Sequence, residues 1–209
     1  MKIAVIGANG KAGKLIVKEA IERNHDVTAV VRSENKSEAS KVINKDLFEL
    51  TKADLADFDA VVSAFGTFNP DTLSLHSKTV EHFSEILDGT NTHLLIVGGA
   101  GSLYLDSSKT TKLFESPEFP EIFKPIAKAQ ADELDLLRTK ENINWTFVSP
   151  AADFVEDGPK TNNYGIAGEI FTTNKEGVSY VSYADYASAL LDIIEANSNI
   201  KERVSVYTK

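Results

Sequence analysis

The sequence predicts an α/β fold: a doubly wound parallel sheet with helices on both faces. Three observations carry this. Apolar strand-like runs alternate with amphipathic helical patterns along the whole chain, as in successive β-α-β units. The first run, Lys2-Ile3-Ala4-Val5-Ile6, is continuously apolar after its lysine, as a strand buried on both faces must be. A turn with three glycines, Gly7-Ala8-Asn9-Gly10-Lys11-Ala12-Gly13, follows it and opens a helical pattern.

Composition narrows the class. The 209 residues suffice for one domain with a substantial core. Hydrophobic residues make up 42% and charged residues 25%, an ordinary globular balance. The formal net charge of −9 argues against a nucleic-acid binder, which needs a basic face. The same charge gives no attraction to anionic membranes. With no cysteine, disulfides, thiolate catalysis and cysteine metal sites are excluded. No signal peptide precedes the first strand, and no apolar run reaches the length of a membrane span. These features predict a cytoplasmic protein.

The elements follow in order. A first helix over 11–23 has Leu15, Ile16, Ala20 and Ile21 on its apolar face, and 26–31 form the second strand. A weakly signalled third strand lies in 41–48 around Val42 and Ile43. Thr51 and Asp54 read as a capping box opening a short helix. The fourth strand covers 59–64, and a long helix covers 70–88, ended by Gly89. The fifth strand is 93–98. The stretch 106–125, with Pro117, Pro120 and Pro125, reads as irregular. A helix over 126–140 and a sixth strand over 145–149 follow, stopped by Pro150. Residues 151–177 read as loop and 178–181 as a short strand. Ser182 and Asp185 form a second capping box, opening a helix to about Asn197, and 203–207 alternate as a last strand.

The glycine turn has the context of a Rossmann-like dinucleotide site, although its G-x-x-G-x-x-G spacing varies the commoner pattern. Gly7 permits a tight exit from the strand. Gly10, lacking a Cβ, lets a pyrophosphate approach the backbone, and Gly13 lets helix and strand pack closely. The helix N-terminus then offers free N–H groups to phosphate. In such sheets ligands lie at the carboxyl ends of the strands, so the residues there are the ones expected to carry chemistry. Arg32 follows the second strand, where a carboxylate would select NAD. An arginine can pair with a 2′-phosphate, with Lys11 adding charge; the alternative is a solvated surface arginine. Asp46, beside Leu47, can accept from the adenine amino group or simply cap a turn. Ala64, Phe65 and Gly66 follow the fourth strand and allow backbone approach to a ribose, or form an ordinary turn with a core aromatic. Gly98 and Gly99, within Gly98-Gly99-Ala100-Gly101, offer a flat floor for a planar ring, or an ordinary loop. No two of His25, His76, His82 and His93 form a ligand spacing with a carboxylate, so no metal site is expected; His76 reads as a satisfied core or boundary residue. Asp153, Glu156 and Asp157 cluster in the late loop and read as solvated, with a catalytic role the alternative.

Taken together, Gly7 to Gly13, Val97-Gly98-Gly99-Ala100-Gly101-Ser102-Leu103, Trp145-Thr146-Phe147-Val148-Ser149-Pro150 and Asp185-Tyr186-Ala187 resemble an atypical branch of the short-chain dehydrogenase/reductases. Within that branch the resemblance is to the NADH-flavin reductase group, alongside NmrA-like proteins and biliverdin reductase B. It implies one NAD(P)-binding domain over 1–209, with 150–181 as a small substrate-side region. The implied cofactor contacts are Gly7, Asn9, Gly10, Lys11, Ala12, Arg32, Asp46, Leu47, Ala64, Phe65, Gly66, Gly98, Gly99 and Pro150. Arg32 favours NADP(H), with NAD(H) also admitted. The partner expected is a small planar acceptor, a flavin or quinone, with the flavin a substrate rather than a prosthetic group. No nucleic acid or membrane is expected, and a homodimer is left open. One departure stands out. Standard members carry Tyr-x-x-x-Lys on the helix after the fifth strand, where Tyr donates a proton to a carbonyl oxygen. Here that helix reads Phe123-Lys124-Pro125-Ile126-Ala127-Lys128-Ala129-Gln130, and Tyr104 and Lys109 precede it at the wrong spacing. Alcohol–ketone redox and nucleotide-sugar epimerisation are thereby disfavoured. Flavin reduction needs no such acid, because hydride adds at N5 and water protonates N1. A non-catalytic redox sensor of NmrA-like type is the alternative from another class.

Overall fold

A computed structural model describes residues 1–209. Its ten strands and five helices run β1 (Lys2–Ile6), α1 (Lys11–Glu22), β2 (Asp26–Val31), β3 (Lys41–Asn44), α2 (Lys52–Leu55), β4 (Ala60–Ser63), α3 (Leu75–Ile86), β5 (His93–Val97), α4 (Lys124–Leu137), β6 (Asn144–Ser149), β7 (Asp153–Val155), β8 (Tyr164–Ala167), β9 (Tyr180–Ser182), α5 (Tyr183–Ala196) and β10 (Glu202–Thr208). Eight strands form one sheet in the order β3-β2-β1-β4-β5-β6-β10-β8, parallel except for β8. This is the doubly wound Rossmann-like order, which reverses direction between β1 and β4.

Alternation along each strand divides the core. Ile3 and Val5 of β1, with Val62, Leu95 and Val148, face α1 and α5. Ala4 and Ile6, with Val61, Leu94, Ile96 and Phe147, face α3 and α4. Both faces of the parallel strands are therefore dry, which is why the strands read as continuous apolar runs. No helix is long and apolar enough to cross a membrane.

The structure departs from the sequence reading at identifiable places. Residues 41–48 split: β3 ends at Asn44, and Leu47–Glu49 form a 3-10 turn capped by Asp46. The helix read over 70–88 is a 3-10 turn at Pro70–Thr72 followed by α3. Helix α4 begins at Lys124, before the expected start, because Pro125 occupies the first turn, where no N–H is needed. The Thr51–Asp54 capping box is present. Ser182 caps α5 by accepting from Asp185 N, but the Asp185 carboxylate does not complete the box. It accepts instead from the backbone N–H groups of Thr161 and Asn162, both at 2.8 Å.

Residues 151–177, read as loop, hold two strands. β7 pairs in parallel with β9 in a separate two-stranded sheet, and β8 pairs antiparallel with β10 at the edge of the main one. The sequence of β8, Tyr-Gly-Ile-Ala, has no apolar alternation to announce it. Its glycine lies opposite Tyr207, whose ring occupies the space a Cβ at Gly165 would take.

At the amino end of β5, His93 is 2% exposed, and its Nε2 lies 2.7 Å from Thr146 Oγ1. That hydroxyl donates to the Asn199 carbonyl at 2.7 Å, so Nε2 must carry the proton they share. Nδ1 is buried without a partner. A second proton there would have no acceptor, and burial lowers the ring's pKa from 6.5 to about 4. The unfolded ring takes up a proton that the folded ring refuses. Its contribution is therefore complete above pH 6.5 and is lost as pH falls through 4, at most about 3 kcal/mol. Urea unfolding of wild type and His93→Gln between pH 4 and 7 checks this: the variant should lose distinctly less stability over that range.

Candidate functional site

The carboxyl ends of β1, β2 and β4 open into a cavity of about 410 Å³, within the range of small-molecule sites. Nine of the sequence-derived candidates line it: Gly7, Asn9, Gly10, Arg32, Asp46, Leu47, Ala64, Phe65 and Gly66. Ser33, Lys45, Phe48 and Leu75 also line it and were not anticipated. Ser33 and Phe48 neighbour residues that were, but Leu75 arrives from α3, which no local signal indicated.

The glycine turn is shaped as its spacing requires. Gly7 has φ +73°, and a Cβ there would meet the Ala64 carbonyl oxygen at 2.8 Å. A Cβ at Gly13 would lie 2.2 Å from Gly7 O, so helix and strand backbones touch. A Cβ at Gly10 would meet only Gly7 O, at 3.1 Å, with otherwise open space around it. Gly10 is also the N-cap of α1, which has no side-chain cap and no acidic residue in its first turn. The N–H groups that begin any helix are thus left available, with the positive dipole end beside the cavity.

Asn9 turns out to be a clamp. Its Nδ2 donates to the Glu34 carbonyl at 2.9 Å and its Oδ1 accepts from Lys36 N at 2.6 Å. The glycine turn and the loop after β2 are thereby joined, which sets the backbone from which Arg32 projects. Arg32 is itself largely exposed, and its guanidinium reaches Asp46 only at 3.8 Å. Asp46 is occupied as a cap: its Oδ1 accepts from Phe48 N at 2.9 Å. Lys45 points its charge elsewhere, with Nζ 2.8 Å from both Asp54 oxygens. The Lys45 and Thr51 hydrogen bonds hold the Asp54 carboxyl down at about 2. Arg32 is the cavity cation that remains without a close partner.

The other candidates lie elsewhere. Lys11 turns away and pairs with Glu156 at 2.5 Å, an ion pair that raises its pKa through that hydrogen bond. Ala12 packs into the core beneath α1. Gly98, Gly99 and Pro150 follow β5 and β6, beyond β4 in the strand order, and do not line the cavity. The structure gives Gly98 a packing reason, since a Cβ there would strike the Phe147 ring; a Cβ at Gly99 would meet only the movable end of the Gln130 side chain. Beneath that loop lies Arg203, whose side chain is fully buried. Its Nη2 donates to Glu169 Oε2 at 2.6 Å and to the Ser102 carbonyl at 3.1 Å. Glu169 also receives Arg138 at 2.9 Å, and the two guanidinium partners offset its burial to keep its pKa low. The Ser102 hydroxyl is buried without a partner. Tyr104 sits in a backbone bridge with Lys112 and Ile170, and Lys109 in a turn at φ +53°, so these two do not recreate a helical Tyr-x-x-x-Lys pair. No cluster of three or more His, Asp or Glu could hold a metal ion.

The chain is similar over its full length to known proteins. A crystal structure from Streptococcus pneumoniae TIGR4, of a protein described as a putative NADH-flavin reductase, is 66% identical. It covers 100% of both chains with a TM-score of 0.98. A crystal structure of a putative epimerase from Bacteroides thetaiotaomicron is 33% identical over 99% of this chain and 96% of that one, with a TM-score of 0.86. The uncharacterized protein YwnB of Bacillus subtilis is 46% identical over 100% of this chain and 99% of its own length. The family profile described as NAD(P)H-binding matches residues 7–197, from the first glycine of the turn to the end of α5. The chain belongs to the NAD(P)H-binding family.

Proposed function

We propose that this chain is an NADPH-dependent reductase of flavin- or quinone-like acceptors, built as one cofactor-binding domain with residues 150–181 on the acceptor side. The observation that carries the reading is the glycine turn: an uncapped α1 and a Gly10 with open space at its Cβ position, beside a cavity of about 410 Å³. That cradle fits a diphosphate, which needs close backbone approach and N–H donors. Ala64, Phe65, Gly66, Asp46 and Leu47 would hold the adenosine half there, and Arg32 would meet a 2′-phosphate. Gly98, Gly99 and Pro150 would bound the nicotinamide half. Bound NADPH supplies a hydride. The Streptococcus relative's description favours a flavin as its acceptor.

The protein's part is to orient. Around the ends of β5 and β6 stand Gly98, Gly99, Ala100, Gly101, Ser102 and Pro150, groups that shape and orient and none of which titrates near neutral pH. Holding donor and acceptor in contact supplies several kcal/mol of the barrier. The proton needed by a reduced flavin comes from water. The epimerase reading, raised by the Bacteroides relative, needs a positioned Tyr and Lys pair that this helix lacks.

Two outcomes test the proposal. NADPH should bind roughly ten- to a hundredfold tighter than NADH, the worth of a charge-assisted arginine–phosphate contact. Arg32→Ala should erase most of that gap in fluorescence titrations, and Gly10→Val should abolish binding of both. Equal affinities in the wild type would remove the role of Arg32.

NADPH mixed with FMN should be consumed, followed at the reduced-nicotinamide absorbance band. Tyr104→Phe, Lys109→Ala and Lys128→Ala should each retain turnover within about tenfold, whereas loss of a general acid costs ~10²–10⁴. A thousandfold loss at any one of them, with cofactor affinity intact, would reveal a protein proton donor. Tight binding without turnover would make the protein a redox sensor.

A further inference from the structure

Behind the cavity wall lies a buried charged pair. His76 on α3 is 1% exposed and Glu133 on α4 is 2% exposed. His76 Nδ1 is 3.2 Å from Glu133 Oε2, and Nε2 is 3.3 Å from the Thr67 carbonyl. The ring meets Phe65 edge-on at 5.4 Å, and Phe65 and Gly66 line the cavity. The ring thus joins both helices to the loop that leaves β4.

Both ring nitrogens face oxygen acceptors. A neutral imidazole has one N–H and one lone pair, so an ionised carboxylate and a carbonyl together are satisfied only by the doubly protonated ring. Burial pushes the Glu133 carboxyl up, while the His76 hydrogen bond and charge and the Thr79 hydroxyl pull it down, so the neutral pair with the proton on Glu133 is the competing state. The groups facing the pair are few. From α4 comes Glu133, and from the loop after β4 come the Thr67 carbonyl and the Phe65 ring. From α3 comes Thr79, whose hydroxyl donates to the His76 carbonyl at 2.7 Å and lies 3.3 Å from Glu133 Oε1. No second charged side chain bonds to the ring.

We propose that His76 is a positioning residue: with Glu133 it holds residues 64–67, and through them Phe65, in the shape that receives the adenosine half of NADPH. This rests on the cofactor reading above. Burial works against the charged ring, but the Glu133 hydrogen bond and charge and the Thr67 carbonyl outweigh it, so its pKa stands above the ordinary 6.5. The hold is complete below that raised value and is lost as pH rises through it. The remaining N–H then stays with the carboxylate, and an Nε2 lone pair confronts the Thr67 carbonyl.

The test is NADPH affinity by fluorescence between pH 7 and 10, where the 2′-phosphate, with its second pKa near ~6, stays ionised. Wild-type affinity should weaken about tenfold across the alkaline limb, the scale of one lost charged hydrogen bond. His76→Gln should bind about tenfold more weakly at pH 7 and lose that limb. Glu133→Gln should move the limb to lower pH, because the carboxylate that favours the charged ring is gone. Circular dichroism checks that both variants fold. ¹⁵N NMR of the wild type, which needs no variant to fold, should show both His76 nitrogens protonated at pH 7. An unprotonated ring nitrogen there, Nδ1 or Nε2, or normal NADPH binding with the same pH profile in both variants, would overturn this inference alone. No binding by the wild type would overturn the cofactor reading, and this inference with it.

Discussion

The contact between Gly7 and Gly13 is the constraint on which the site depends. With a Cβ at Gly13 only 2.2 Å from the Gly7 carbonyl, no other residue lets α1 start so close to the end of β1. That closeness brings the first turn of α1 to the cavity rim and keeps the path from strand to helix short. It also fixes Asn9, which faces the loop after β2 and stitches it down. A looser turn would carry the helix dipole away from the ligand and leave Arg32 on an untethered loop.

Charge at the site is a local matter. A net charge of −9 would oppose an anionic cofactor at long range, but screening limits such effects to about 8 Å at physiological salt. Within that radius the decisive fact is which cations are already paired. Lys45 and Lys11 are held by Asp54 and Glu156, whereas Arg32 has only a distant Asp46. Asp46 keeps the guanidinium near the cavity without a hydrogen bond to break.

In the late part of the chain, buried polar groups add to the apolar packing of α5 and β10 against the sheet. Asp185 collects two backbone N–H groups and the Thr161 hydroxyl, fastening the segment before β8 to the start of α5. Arg203 ties Glu169, just past β8, to the loop after β5. Tyr186, fully buried, donates to the Val148 carbonyl and joins α5 to β6. Each group is satisfied by partners distant in sequence, and removing one partner would leave a buried polar atom unpaired, which costs far more than the bond itself contributes.

The amino-acid sequence by itself determined the α/β class, the parallel core strands and the glycine turn. These depend on local signals: apolar runs, helical periodicity, and glycines where a Cβ has no room. Arg32, Asp46 and the residues after β4 were legible for the same reason, since any residue directly after such a strand must stand at the ligand edge. Tertiary structure alone decided the rest. Strand β8 exists because β10 offers it an edge and Tyr207 covers its glycine, neither of which its own four residues encode. Asn9 and Lys11 acquired partners distant in sequence, Lys36 and Glu156, whereas Asp46 caps the turn that directly follows it. His76, read as a satisfied core histidine, is satisfied by Glu133 and Thr67, residues that meet only when α3, α4 and the end of β4 pack together. Local sequence encodes conformation, but the pairing of a buried charge is settled by whichever distant group the packed fold brings within hydrogen-bonding reach.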